Sequence, residues 1–172
     1  MLRDKVLDKI RAHLAVVSVQ SRVYIGCDSS RHKTNANEWS ANYTTAVVVH
    51  NIDENGIGHG CRVFCDTDTM VDYDQKADRP AMRMMNEAYR ATEAYQQLED
   101  DLIMREVEVH LDVNADPLHG SNCAMSMAMG YVKGVTGREV MIKPNAFAAS
   151  YAADHAVRGK FKPPVTHAAR MH

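Results

Sequence analysis

The sequence predicts an α/β protein in which a mixed β-sheet is covered by helices. Three observations support this class: the chain opens with an amphipathic helical pattern, three strand-like segments joined by turns follow, and helical and strand-like segments then alternate. Strands in immediate succession favour an antiparallel meander, whereas strands separated by helices favour parallel pairing. With 172 residues, 45% of them apolar, the chain is long enough to bury one core.

The N-terminal part of the chain predicts one helix followed by the meander. Apolar residues from Leu2 to Val17 recur at helical spacing, which predicts an amphipathic helix within residues 1–20. Runs rich in β-branched residues and bounded by turn residues predict three strands. These strands lie at residues 23–27, about 42–51 and 60–65; the first ends at Asp28 before a polar loop to Ser40, and an exposed acidic loop over 66–78 follows the third.

The C-terminal part predicts helices that alternate with two further strands. A long helix is expected from Ala81, next to Pro80, to about residue 104. A strand that ends at Asp112 follows, because apolar and polar residues alternate there. Neither a repeat nor a domain boundary is visible, so residues 1–172 are predicted to form a single domain. Its remaining segments are a helix over 121–131, a strand over 140–142, a helix over 146–158 and a loose tail over 159–172.

Composition argues against several classes of protein. No apolar run approaches the ~20 residues of a membrane helix, and charges within residues 1–10 do not fit a signal peptide. A cytoplasmic protein without a membrane partner is therefore expected. The four cysteines include no Cys-x-x-Cys pair, so a disulfide framework is not expected. Because no glycine-rich phosphate loop occurs, a nucleotide cofactor is not expected either.

The formal net charge of −2 conceals two oppositely charged parts. Residues 1–130 carry 13 Lys and Arg against 20 Asp and Glu, whereas residues 131–172 carry 7 against 2. This segregation is compatible with a side that binds a polyanion. Six basic residues could contact a nucleic-acid backbone or serve only as solubilising charges: Lys133, Arg138, Lys143, Arg158, Lys160 and Lys162.

Four acidic residues from separate predicted elements are candidate metal ligands. Carboxylate oxygens suit hard divalent cations, and converging acids would repel one another without a cation. Phosphoryl transfer requires charge neutralisation on both the attacking and the leaving oxygen, which a pair of metal ions provides. Asp112 is the strongest candidate, because its neighbours on the same strand face are also polar. The four acids are Asp28 and Asp112 at strand ends, Glu87 in the long helix and Asp154 in the last helix.

Other interpretations of these residues remain open at this point. Asp28 could cap a turn or a helix, and Glu87 and Asp154 could be solvated helix residues. The aspartates between residues 66 and 74 suggest calcium, but they lack the glycine and glutamate of an EF-hand loop and favour a solvated loop. Imidazole and carboxylate ligands that would suit Zn²⁺ or Fe²⁺ are His110, Asp112 and His119.

Five short blocks occur in order between about residues 23 and 158. They read YIGCDS from residue 24, RMMNE from residue 83, HLDVN from residue 110, IKPN from residue 142 and AASYAAD from residue 148. Together these blocks resemble the YkuK-like family of the ribonuclease H-like superfamily. Cys27 and Asn145 stand where that family is expected to have Thr and Asp.

The resemblance implies a ribonuclease H-like fold, with an antiparallel three-stranded meander, two parallel strands and helices on both faces of the five-stranded sheet. It implies that Asp28, Glu87, Asp112 and Asp154 are catalytic, metal-binding acids. We expect Asp28 to bridge two Mg²⁺ or Mn²⁺ ions, Glu87 and Asp112 to hold one ion, and Asp154 to hold the other. The residues expected to contact substrate are Ser29, Asn114, Lys143, Asn145 and His155.

The predicted activity is hydrolysis of phosphodiester bonds in RNA, RNA–DNA hybrid or structured DNA by a two-metal mechanism. The alternative is a non-catalytic nucleic-acid-binding or interaction module with the same fold. A phosphoesterase acting on small substrates is a third class, because it would use the same metal chemistry.

Overall fold

The structure is a computed structural model that describes residues 1–74 and 80–153. In chain order its elements are α1 (Asp4–Leu14), β1 (Arg22–Lys33), β2 (Trp39–Ile52), β3 (Gly58–Val71), α2 (Ala81–Leu102), β4 (Val107–Asn114), a 3₁₀ turn (Gly120–Ala124), α3 (Met125–Thr136), β5 (Glu139–Lys143) and a π-helical segment (Ala148–Ala153). In these described parts of the chain, no helix is long and apolar enough to cross a membrane.

The five strands form one mixed sheet in the order β3-β2-β1-β4-β5. β1 pairs antiparallel with β2, and β2 pairs antiparallel with β3, which gives the predicted meander. β4 pairs parallel with β1, and β5 pairs parallel with β4. The α/β class and the arrangement of three antiparallel and two parallel strands are therefore confirmed.

Helical segments cover both faces of this sheet. Because side chains alternate along a strand, Ile25, Val47 and Val109 face α1, α2 and α3 and form the larger core. Tyr24, Val48 and their neighbours point the other way, where the π-helical segment packs through Ala148 and Ala152. Burial on both faces explains why the central strands contain nearly continuous apolar runs.

The meander is longer than the sequence predicted. β1 does not end at Asp28 but continues to Lys33, and only residues 34–38 connect it to β2. The polar loop to Ser40 was thus a wrong prediction, because the backbone groups of these residues pair with β2 whatever the polarity of their side chains. Parallel pairing with β4 stops at Cys27. We call the projecting part of the meander the arm; it comprises residues 29–33, 39–43 and 68–71.

The predicted exposed acidic loop is also wrong over the part that the structure describes. Residues 66–71 belong to β3, and residues 75–79 lie outside the described chain. Each aspartate between residues 66 and 74 has a basic or backbone partner, which excludes both the calcium loop and the solvated loop over this part. Asp66 pairs with Arg3, Asp68 with Arg90 and Asp72 with Arg31, whereas Asp74 accepts the backbone N–H groups of Met82 and Arg83 at the start of α2.

Three helical segments differ in extent from their predictions. α1 is shorter than the predicted 1–20, and Arg105 donates hydrogen bonds to the carbonyls of Leu14, Val17 and Ser18 at its end. The helix expected over 121–131 is a 3₁₀ turn followed by α3, and Gly137, with a positive φ of 62°, caps the C-terminus of α3. The π-helical segment occupies the first part of the helix expected over 146–158. The rest of that predicted helix lies outside the described residues, as does the predicted tail over 159–172.

Candidate acidic site

Two of the predicted acids lie side by side on adjacent parallel strands. The last residues paired between β1 and β4 are Cys27 and Leu111, and Asp28 and Asp112 come next on each strand. They share one face of the sheet, because Gly26 pairs with His110 two residues earlier. Neighbouring strands are about 4.8 Å apart, so the sheet brings these two carboxyl groups together where the strands diverge.

The third acid comes from helix α2, which packs on the other face of the sheet. The Glu87 side chain is buried, with 1% exposed, and α2 packs against β1. The Ser29 hydroxyl donates a hydrogen bond of 2.6 Å to Oε1 of Glu87. Among the described residues, Oε2 of Glu87 has no hydrogen-bond partner. A buried carboxyl oxygen without a donor is unusual and indicates a site that a cation could complete.

The electrostatics of Glu87 reflect its burial and the charges of the two strand acids. Burial raises the pKa of the Glu87 carboxyl well above its usual value, and the charges of Asp28 and Asp112 raise it further. The hydrogen bond from Ser29 opposes this shift. Bringing these acids together is therefore unfavourable unless a proton or a cation reduces their charge.

A metal-binding geometry is not formed by the described residues alone. Over residues 1–74 and 80–153, no group of three or more His, Cys, Asp and Glu side chains is arranged to hold a metal ion. The fourth predicted ligand, Asp154, lies outside the described residues, as does the predicted substrate contact His155.

A cation of the protein itself lies at this site. Lys143 at the end of β5 places its Nζ 2.9 Å from Oδ2 of Asp112. The Lys143 side chain is 38% exposed and that of Asp112 is 16% exposed, so the pair borders solvent. Lys143 was predicted to contact substrate, and in this structure it pairs with an acid of the site.

The other predicted substrate contacts occupy different positions. Ser29 supports Glu87 through the hydrogen bond described above. Oδ1 of Asn114 accepts the backbone N–H of Asp116 at 2.9 Å and so stabilises the turn after β4. Asn145 is exposed, and its backbone N–H donates to the carbonyl of Ile142. Of this set, Ser29 contacts an acid of the site and Asn145 offers an exposed amide.

The alternative zinc or iron site is wrong, because His110 has a structural role. Nδ1 of His110 accepts the backbone N–H of Ala148 at 3.0 Å, and Nε2 lies 3.2 Å from a carboxylate oxygen of Glu108. Burial lowers the pKa of this imidazole, which favours its neutral form. His119 is 60% exposed and lies 4.0 Å from Asp116. His110 therefore links β4 to the π-helical segment.

The sequence did not predict the residues that hold the hydrogen-bond partner of Glu87 in place. Arg83, one helical turn before Glu87, donates to the Ser29 hydroxyl at 3.3 Å. Its Nε lies 3.8 Å from Oδ2 of Asp72, which also pairs with Arg31 at 2.6 Å. The i,i+4 spacing of Arg83 and Glu87 was a signal for part of this network. The contribution of Asp72 depends on β3 and had no signal in the sequence.

Comparison with known proteins identifies a family and a remote structural likeness. A family model described as Ribonuclease H-like matches residues 5–158. The crystal structure of the native prototype foamy virus protease–reverse transcriptase is similar over 83% of this chain and 21% of that chain, at 10% sequence identity and a TM-score of 0.41. This chain thus spans about a fifth of that protein's length. No curated protein matches the chain.

Proposed function

Because the chain belongs to the ribonuclease H-like family, we propose that it is a divalent-metal-dependent nuclease. Its proposed reaction is hydrolysis of phosphodiester bonds in RNA, RNA–DNA hybrid or structured DNA. Within the family, the blocks around Asp28, Glu87 and Asp112 favour a place among the YkuK-like proteins. The observation that carries the proposal is the buried Glu87 carboxyl, which is held near two further acids.

The residues present fit a hard divalent cation. Carboxylate oxygens are the ligands that Mg²⁺ and Mn²⁺ prefer, and Oε2 of Glu87 is buried without a donor among the described residues. Burial is the main reason for the raised pKa of Glu87, and a cation would also offset the repulsion from Asp28 and Asp112 that adds to it. We propose that Asp28 is shared by two ions, that Glu87 and Asp112 hold one, and that Asp154 holds the other.

Two bound ions would supply an activated water and would stabilise the leaving oxygen. The protein's own contribution is to hold the acids in place and to contact the substrate. Ser29 fixes the orientation of the Glu87 carboxyl through its 2.6 Å hydrogen bond. Lys143 can contact a phosphate once it leaves Asp112, and Asn145 is exposed for the same purpose. Asn114 and His155 complete the proposed set of substrate contacts.

Substitution of the strand acids tests the proposal. Asp28→Asn and Asp112→Asn should each abolish Mg²⁺- or Mn²⁺-dependent cleavage of labelled hybrid, single-stranded and branched substrates, because an amide is a poorer ligand for a hard cation. Asp100→Asn, at an exposed position of α2, is the matched control and should cleave normally. Circular dichroism should show an unchanged fold in all three variants. Normal cleavage by either strand variant would refute the assignment.

The ion pair between Lys143 and Asp112 favours a second candidate, a non-catalytic nucleic-acid-binding module. An ammonium 2.9 Å from one of the acids can balance its charge without a metal. In that case the protein would bind nucleic acid but would give no products with Mg²⁺, Mn²⁺ or chelator. The same set of substrates therefore distinguishes the two functions.

A further inference from the structure

The end of the arm presents the chain's single tryptophan to solvent. Trp39 begins β2 and is 41% exposed, although the next two residues of the strand are buried. Tryptophan is usually well buried, so exposure of this much indole surface calls for an explanation. The part of the ring that faces solvent could take a flat partner that stacks on it.

Two cations lie over the indole ring and cover part of it. The guanidinium carbon of Arg31 lies 4.0 Å from the ring centroid, and Nζ of Lys33 lies 5.1 Å from it. Arg31 is itself fixed, because its Nε is 2.6 Å from Asp72 and its Nη2 donates to the carbonyl of Asp74 at 2.7 Å. Lys33 donates to the amide oxygen of Asn37, a neutral acceptor that leaves its positive charge in place.

A second exposed aromatic residue lies at the same end of the arm. The backbone N–H of Asp72 donates to the carbonyl of Trp39 at 2.9 Å, so the next residue, Tyr73, follows close to the tryptophan in space. Tyr73 is 69% exposed. Aromatic rings interleaved with cations are the surface on which single-stranded nucleic acids stack their bases.

The same strand joins this end of the arm to the acidic site. Ser29 of β1 contacts Glu87, and Lys33 is four residues further along β1. At about 3.3 Å per residue the two positions are roughly 13 Å apart. That span corresponds to about four stacked nucleotides at a rise of 3.4 Å each. A polynucleotide held beside Glu87 is therefore long enough to reach Trp39.

We propose that Trp39, with Lys33 and Tyr73, binds the bases of an unpaired segment that flanks the cleaved bond. The inference rests on the proposed nuclease function and narrows its substrate to nucleic acid that carries a single-stranded segment. In a duplex each base is covered by its neighbours, whereas an unpaired base can place its face on the indole. Lys33 would contact a phosphate of the same segment.

Binding in the presence of chelator tests this proposal without cleavage. The probes are a labelled blunt RNA–DNA hybrid and the same hybrid with a single-stranded RNA extension. Because Trp39 is the chain's single tryptophan, quenching of intrinsic fluorescence reports on this position alone. The extended hybrid should quench the emission, and the blunt hybrid should leave it nearly unchanged.

Variants make the test quantitative. Trp39→Ala should weaken binding of the extended hybrid by about fivefold to a hundredfold, as expected for loss of base stacking, and should leave binding of the blunt hybrid unchanged. Trp39→Leu keeps an apolar side chain at the strand end and should show the same selective loss, which separates stacking from damage to the arm. Lys33→Gln should lower the salt dependence of the affinity for the extended hybrid, by an amount equal to the release of about one counterion fewer on binding. The control is Tyr131→Ala, at an aromatic residue of α3 that is 38% exposed.

The outcomes separate this inference from the proposed function. If Trp39→Leu binds the extended hybrid as tightly as the wild type, the stacking surface is refuted even when the protein cleaves with metal. If binding depends on Trp39 but no metal yields products, the nuclease is refuted and the stacking surface stands. Absence of binding to either hybrid by the wild type would overturn both.

Discussion

Replacing Glu87 with glutamine tests whether the Glu87 carboxyl is buried in surroundings that disfavour its ionised form. The side chain is 1% exposed, and burial raises its pKa well above the usual 4.5, with further contributions from Asp28 and Asp112. The folded protein therefore keeps a proton on Glu87 at pH values where the unfolded chain has lost it. This contribution to stability is fully present below pH 4.5 and is lost as the pH rises through the folded-state pKa.

The expected magnitude follows from this linkage. One extra proton in the folded state lowers the free energy of unfolding by about 1.4 kcal/mol for each pH unit between the two pKa values. Glu87→Gln removes the titrating group and hence this slope. The glutamine amide also adds a constant offset, because its N–H₂ group takes the place of an oxygen that has no donor. The informative quantity is therefore the pH dependence of the difference between variant and wild type.

Urea unfolding in the presence of chelator, followed by circular dichroism from pH 5 upward, measures this difference. The stability of Glu87→Gln relative to the wild type should increase by about 1.4 kcal/mol per pH unit until the folded-state pKa is reached. Glu99→Gln, at an exposed position of the same helix, is the control and should follow the wild type. A difference between Glu87→Gln and the wild type that stays constant between about pH 5 and pH 8 would refute the buried, acid-coupled carboxyl.

Two further predictions concern the surroundings of the site. Asp74→Ala should lower the free energy of unfolding by about 1–2 kcal/mol. Asp74 caps α2, because it accepts the backbone N–H groups of Met82 at 2.9 Å and Arg83 at 2.8 Å. An unchanged urea midpoint would contradict this role. Lys143→Met should strengthen Mn²⁺ binding about fivefold in calorimetry, the equivalent of the ~1 kcal/mol of a partly exposed ion pair, because the ammonium no longer competes for Asp112. Lys133→Met is its control, and weaker Mn²⁺ binding by Lys143→Met would show that the two cations do not compete.

The sheet was predictable because its pattern is local. Alternation over residues 107–113 marks β4, and the apolar run at residues 46–49 marks a strand buried on both faces. The arm was not predictable in the same way. Residues 29–33 are polar, and they form a strand because β2 supplies hydrogen-bond partners for their backbone. That partner is a property of the folded protein and leaves no periodicity in the sequence.

The candidate site likewise has a part that could be predicted from the sequence and a part that could not. Asp28 and Asp112 follow strand-forming runs, so their placement at one end of the sheet could be predicted from the order of strands and helices. Glu87 was singled out from the other helix glutamates through the resemblance of its RMMNE block. The network that supports Glu87, through Ser29, Arg83 and Asp72, joins β1, α2 and the segment after β3. Such tertiary contacts cannot be inferred from spacing.

The parallel pairing of β1 with β4 also bears on the order in which the protein folds. The meander closes through short connections such as residues 34–38, whereas Asp28 and Asp112 are 84 positions apart in the chain. Closing the longer loop costs about 2 kcal/mol more in chain entropy, at roughly 0.6 kcal/mol per doubling of length. The meander can therefore form early, and the two acids meet only when α2 and β4 dock on it. Partial unfolding that releases β4 would accordingly remove the acidic site while leaving the arm intact.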